Sequence, residues 1–134
     1  MKAEEIRVVI RLDQDIVSAR QEGRALATRL GFSSVDATFI ATAISELARN
    51  ILAFARKGEI LLRVIHGSSR EGILVVASDK GPGIRDVQQA LRDGFSTSGS
   101  LGLGLPGVRR LMDEFEIKSR PGQGTIVSVK KWRQ

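Results

Sequence analysis

The chain begins with an alternation. In IRVVIRL, Ile6, Val8, Ile10 and Leu12 fall at every second position, the period of a strand with one buried face. From residue 14 the period lengthens, and 14–30 reads as a helix stopped by Gly31. A second helix starts at a hydroxyl cap, Ser33 or Ser34, and runs to a stop at Gly58. Its apolar stripe is Ile40, Ala43, Ile44, Leu47, Ala48 and Ile51. EILLRVI (59–65) and ILVVASD (73–79) read as strands joined by the turn-forming HGSSREG. A short helix is expected near 86–92, then a polar, glycine-rich stretch from 93 to 102 and a helix from about 104 to 113. FEIKS and TIVSVKKW follow as two strands separated by RPGQG.

Strands joined by short turns pair antiparallel. The order of elements therefore predicts an α/β two-layer sandwich: a mixed, largely antiparallel sheet with helices on one face. The 134 residues fit one domain, 1–134, large enough to bury a core.

Composition narrows the chemistry. No cysteine is present, so disulfides, thiolate metal sites and a cysteine nucleophile are excluded, and the lone His66 cannot build a zinc site. His66 reads as an ordinary surface residue ending a strand. No apolar run reaches the roughly 18 residues that span a bilayer, and the start MKAEEIRVVIRL lacks a signal peptide's apolar core. A cytoplasmic protein with no membrane partner is expected. The net charge of +6 invites nucleic acid. Against that, the basic residues are scattered, aromatics make up 4% and tyrosine is absent, leaving few platforms for bases. An acidic protein surface suits the charge as well, and no nucleic-acid partner is expected.

Nine of the 14 glycines lie between Gly81 and Gly124, where a backbone must approach something closely. Among them Gly102, Gly104 and Gly107 satisfy G-x-G-x-x-G. A dinucleotide loop would have to follow a strand directly, but DGFSTSGS precedes Gly102. A eukaryotic-type kinase would need its catalytic motifs downstream, and the only histidine lies upstream. No Walker-type loop is present.

Three further stretches carry candidate chemistry. In SELARN, Glu46 and Asn50 lie one turn apart, about 130° and 90° from the centre of the apolar stripe, on one border of the helix. Arg49 points nearly opposite the stripe, towards solvent. Taken alone, the pair reads as a polar helix border. In SDKGPGI, Asp79 ends an apolar strand beside Gly81 and Gly83. Its carboxylate can accept from an exocyclic amine, or equally cap its own loop as an Asx turn. In PGQGT, Gly122 and Gly124 make a turn before Thr125.

In this order, E-x-x-x-N (46–50), D-x-G-x-G (79–83), G-x-G-L (102–105) and G-x-G-T (122–125) resemble the Bergerat ATP-binding fold of the GHKL superfamily. The resemblance implies Glu46 as general base and Asn50 as ligand of Mg²⁺. It implies Asp79, backed by Thr125 through a water, as reader of adenine, with Gly81 and Gly83 admitting base and ribose. Gly102, Gly104 and Leu105, at the start of a helix, would meet the phosphates, and a lid would span about 85–103. The hydroxyls of FSTSGS read as a flexible linker.

Size leaves no room for a histidine kinase's phosphoacceptor helices or a gyrase's transducer domain. The chain is similar to the small serine/threonine kinases of bacterial partner-switching modules, and TAISELARNI and DGFSTSGSLGLGLPGVRRLMDEFEIKS look closest to stressosome switch kinases. That implies an enzyme using ATP and Mg²⁺ on STAS-domain proteins, then released to activate a PP2C-type phosphatase. An anti-sigma factor kinase is the alternative, and a non-catalytic ATP-gated interaction module the third. A homodimer, and phosphate or partner contacts by Arg49, Arg109 or Arg110, are left open.

Overall fold

A computed structural model of the chain describes residues 5–83 and 104–134. The opening alternation carries strand β1 (Glu5–Ile10) but not as far as Leu12. Asp15 takes the backbone N–H groups of Arg11 and Leu12 at 2.9 and 3.0 Å, so the chain turns there into α1 (Asp13–Arg29). Leu12 becomes the N-terminal cap residue, 65% exposed, rather than a fourth inward side chain. Gly31 follows α1 with φ of +89°.

Helix α2 (Ser34–Ala55) starts as expected, Ser33 accepting from the Asp36 N–H at 3.1 Å. Its stop differs from the expected glycine. Arg56 takes the left-handed position (φ 66°), and Gly58 is already the first residue of β2 (Gly58–His66). Strand β3 (Glu71–Asp79) returns beside it. After the segment outside the described residues, which includes the helix expected near 86–92, come α3 (Gly104–Leu111), β4 (Glu114–Arg120) and β5 (Gly124–Trp132). Helix α3 stops short of residue 113 because the Asp113 N–H is already bonded to the Lys130 carbonyl at 2.9 Å.

The five strands lie in the order β1-β2-β3-β5-β4, and every pairing is antiparallel. One face packs against the helices, giving the expected two-layer sandwich. Ile40, Ile44, Leu47 and Ile51 of α2 meet Ile60, Leu62, Ile73, Val75 and Val129 in one core, joined by Leu26 of α1 and Val108 of α3. On the other face charge pairs knit β1 to β2. Arg7 reaches Glu59 at 2.7 Å and Arg63 reaches Glu5 at 2.6 Å, the latter hydrogen bond holding the Glu5 carboxyl below its ordinary value. At the far end, Trp132 lies opposite Gly72 with the Arg70 guanidinium 5.2 Å from its ring centre, and its indole N–H donates to Glu114 at 2.7 Å.

By length and composition alone, α2 is apolar enough to cross a membrane. Half of that apolar window is buried inside the sandwich, and Glu46 and Arg49 interrupt it, so here it is the central core helix.

Ile44, fully buried between α1, α2 and the sheet, and the exposed Leu12 make a contrasting pair. Ile44→Ala is expected to cost about 2–5 kcal/mol. Leu12→Ser should stay within about 0.5 kcal/mol. Urea denaturation measures both, and comparable losses would mean that Leu12 is a core residue after all.

Candidate functional site

The antiparallel register brings the candidate motifs to one end of the sheet. Gly58 pairs with Asp79 and Asp79 with Thr125, while Thr125 pairs with Ser119 on β4. The two glycine loops also touch: the Gly122 N–H donates to the Pro82 carbonyl at 2.7 Å. Asp79 sits half-buried at the tip of β3, and its Oδ1 accepts from the Gly81 N–H at 2.8 Å. The Asx turn that the sequence allowed is therefore present. It uses one carboxylate oxygen and leaves Oδ2 without a bond among the described residues.

Close approach explains two of the glycines. A Cβ on Gly124 (φ +103°) would run into the Asp79 carbonyl oxygen and lie 2.8 Å from Lys80 Cα. A Cβ on Gly81 would meet Ala55 Cβ at 2.6 Å. Gly81 thus lets the loop after β3 lie against the last residue of α2. Ala55 is only five residues, or about 7.5 Å of helix, from Asn50. In this way SELARN and SDKGPG share one corner of the molecule.

Glu46 is more buried than a helix border predicts, at 6% exposure. The reason is α3, which packs over that border of α2 and whose position the periodicity of α2 alone does not reveal. Glu46 Oε2 accepts from the Gly104 N–H at 3.3 Å, at the first residue of α3. Its Oε1 accepts from Arg49 Nη1 at 2.7 Å. Arg49 therefore does not simply face solvent: its guanidinium folds back one turn to pair with Glu46. Asn50 is half-buried, with a side chain that makes no hydrogen bond among the described residues.

Thr125 is buried, and its hydroxyl lies 2.8 Å from Ser119 Oγ, which also donates to the Gly124 carbonyl at 3.2 Å. Sequence reasoning missed Ser119 and the role of Arg49. The signals were the end of a strand facing a hairpin partner and an i, i+3 charge pair. Gly83 (φ +78°) packs on the Arg120 carbonyl. Leu105 is a core side chain, leaving only its backbone for a ligand. Gly102, the hydroxyls of FSTSGS and the expected lid at about 85–103 lie outside the described residues. His66 ends β2 exposed, 3.5 Å from Glu71.

The donor set fits Mg²⁺ in one particular way. No group of three or more histidine or acidic side chains that could cage a metal occurs among the described residues. A single amide oxygen on Asn50 suits a hard cation that keeps its waters and takes phosphate oxygens for the rest.

The description of the histidine kinase-like ATPase domain matches residues 10–131. The chain belongs to the histidine kinase-like ATPase family. Within it, the chain is 52% identical over 125 residues to the serine/threonine-protein kinase RsbT of Bacillus subtilis, covering 93% of this chain and 94% of that one. It is 31% identical to an anti-sigma F factor of Caldanaerobacter subterraneus subsp. tengcongensis over 85% of this chain and 82% of the other. Two solved structures share the fold. The RsbU and RsbW domains of Rv1364c from Mycobacterium tuberculosis superpose with a TM-score of 0.67 at 16% identity, over all of this chain and 33% of that one. The mycobacterial sensor histidine kinase MprB superposes with a TM-score of 0.57 at 14% identity, over 99% of each. A domain of this ATPase family uses ATP.

Gly122 and Gly124 separate strain from collision, since both have positive φ but only Gly124 is crowded. Gly122→Ala should cost about 1–2 kcal/mol, the penalty of a left-handed backbone. Gly124→Ala should cost clearly more, because the Asp79 backbone must move. Equal shifts in urea midpoint would remove the steric role assigned to Gly124.

Proposed function

We propose that this chain is an ATP- and Mg²⁺-dependent serine/threonine kinase of a partner-switching module, acting in the cytoplasm as one domain over residues 1–134. The observation that carries the reading is a buried, doubly held carboxylate, Glu46, one turn from Asn50, in a chain 52% identical to a serine/threonine-protein kinase. Protein serine/threonine kinase activity follows from that identity. The substrates proposed are STAS-domain scaffold or antagonist proteins, after whose phosphorylation the kinase is released to activate a PP2C-type phosphatase.

In this reading Asp79 Oδ2 accepts from the adenine amino group while Oδ1 keeps its loop in shape. Thr125, braced by Ser119, backs Asp79 through a water. Gly81 and Gly83 let the loop beside the base pack closely on Ala55 and the Arg120 backbone, and Gly102, Gly104 and the start of α3 offer N–H groups to the phosphates. Asn50 holds Mg²⁺, which supplies neutralising charge to the phosphate oxygens when bound. Glu46 takes the proton of the acceptor hydroxyl as that oxygen bonds to the γ-phosphorus and the bond to the β-phosphate oxygen breaks, releasing ADP. A carboxylate has about four lone-pair sites, so the bonds from Arg49 and Gly104 still leave room for a substrate hydroxyl.

The anti-sigma factor alternative has an observation of its own, the 31% identity to an anti-sigma F factor. Capture of an RNA polymerase sigma factor by this chain would favour it. A non-catalytic ATP-gated module has no need of a buried base beside the metal ligand, and the intact Glu46 speaks against it.

Transfer of γ-³²P from ATP to STAS-domain proteins is the test of the main reading. Glu46→Ala should lower transfer by about 10²–10⁴-fold, the usual share of a general base. Asn50→Ala should abolish it, with both variants retaining the wild-type circular dichroism. Full transfer by folded Glu46→Ala protein would remove the base. Asp79→Asn should weaken ATP binding about tenfold or more, as loss of a charged hydrogen-bond acceptor does. Calorimetry with ATP measures it, and an unchanged affinity would refute the adenine assignment.

A further inference from the structure

The basic residues that look scattered in the sequence are gathered by the sheet. The register row Ile10, Gly58, Asp79, Thr125 and Ser119 crosses all five strands. One residue beyond that row stand Arg11 after β1, Lys57 before β2, Lys80 after β3 and Arg120 at the end of β4. Lys118 stands one residue inside it. All five are exposed, and none forms an ion pair among the described residues. They line one cleft of about 1170 Å³ that crosses the sheet end. Of the two acids in that lining, Glu59 is paired with Arg7 at 2.7 Å, while Asp79 has one oxygen on the Gly81 N–H at 2.8 Å and is outnumbered by the five cations. The floor adds aliphatic contact surface, Val9 and Ile126, at 44% and 46% exposure.

We propose that this cleft docks an acidic segment of a partner protein, lying across the strand ends with carboxylates on the cations and aliphatic side chains on Val9 and Ile126. Naming a protein as the occupant rests on the protein-kinase reading above. Five strands about 4.8 Å apart make a row of roughly 19 Å, the length of about six residues of extended chain. Nucleic acid suits the cleft poorly, because its lining contains no aromatic side chain on which a base could stack. Asp79 and Thr125 line the same cleft, so a segment docked there would lie beside the candidate adenine site. Like charge unpaired along one groove costs stability through self-repulsion, and a complementary partner relieves it.

The probe is a fluorescein-labelled dodecapeptide, three repeats of Glu-Val-Asp-Leu, followed by anisotropy at low salt. The double variant Lys57→Glu/Arg120→Glu should bind it at least about tenfold more weakly, as turning two exposed attractions into repulsions implies. The milder Lys57→Gln/Arg120→Gln should fall in between. A charge-matched control on the exposed face of α1, Arg20→Glu/Arg24→Glu, should change binding less than twofold, and ATP affinity should be unchanged in all three. No peptide binding by the wild type overturns the proposal, and so does an equal loss in the control. An equal loss of ATP affinity would assign the row to nucleotide, and tighter binding of a twelve-nucleotide single-stranded DNA would assign it to nucleic acid. Peptide binding does not use Glu46, so a failed phosphotransfer reading leaves this comparison standing.

Discussion

The pairing of Asp79 with Thr125 across β3 and β5 is the constraint from which the rest of the site follows. β5 reaches that position only after the chain has passed through α3 and β4, so the contact joins segments 46 residues apart in sequence. The pairing aligns the ends of all five strands, and Gly124 must lack a side chain because the Asp79 backbone lies against it. It presses the two glycine loops together through the bond from Gly122 to Pro82. It also sets the loop after β3 against the end of α2, bringing Asp79 within reach of the helix that carries Glu46 and Asn50.

Glu46 has a second structural task besides the one proposed in catalysis. Its two oxygens connect α2 to itself through Arg49 and to the first residue of α3 through the Gly104 N–H. The carboxylate is held on both oxygens, by a guanidinium on its own helix and by an N–H at the start of the next. Lying one turn from Asn50, the proposed metal ligand, Glu46 thus also helps to seat the helix whose start would meet phosphate in the proposed reading.

Much of this was legible in the sequence because it depends on local periodicity. The strand β1, the capped start of α2, the hairpin of β2 and β3 and the two positive-φ glycines of PGQGT are consequences of spacing and turn chemistry. The misses came from contacts between distant segments. Leu12 continues the alternation, but Asp15 three residues on captures its N–H and ends the strand early. Gly58 looks like a helix stop, yet the sheet claims it and Arg56 must take the left-handed position. The depth of Glu46 depends on α3, and the basic row depends on register, which no single strand's sequence reveals. The site motifs were found because four of them recur in a known order, whereas their mutual geometry had to come from the fold.

Trp132, the only tryptophan, lies at the opposite end of β5 from Thr125, about 23 Å away along the strand. Its ring is held by Gly72, Arg70 and Glu114, none of which belongs to the candidate site. Its fluorescence therefore reports whether the last strand is in the sheet. It is a clean signal for global unfolding and a poor one for nucleotide, whose arrival has to be followed by a label carried on the ligand.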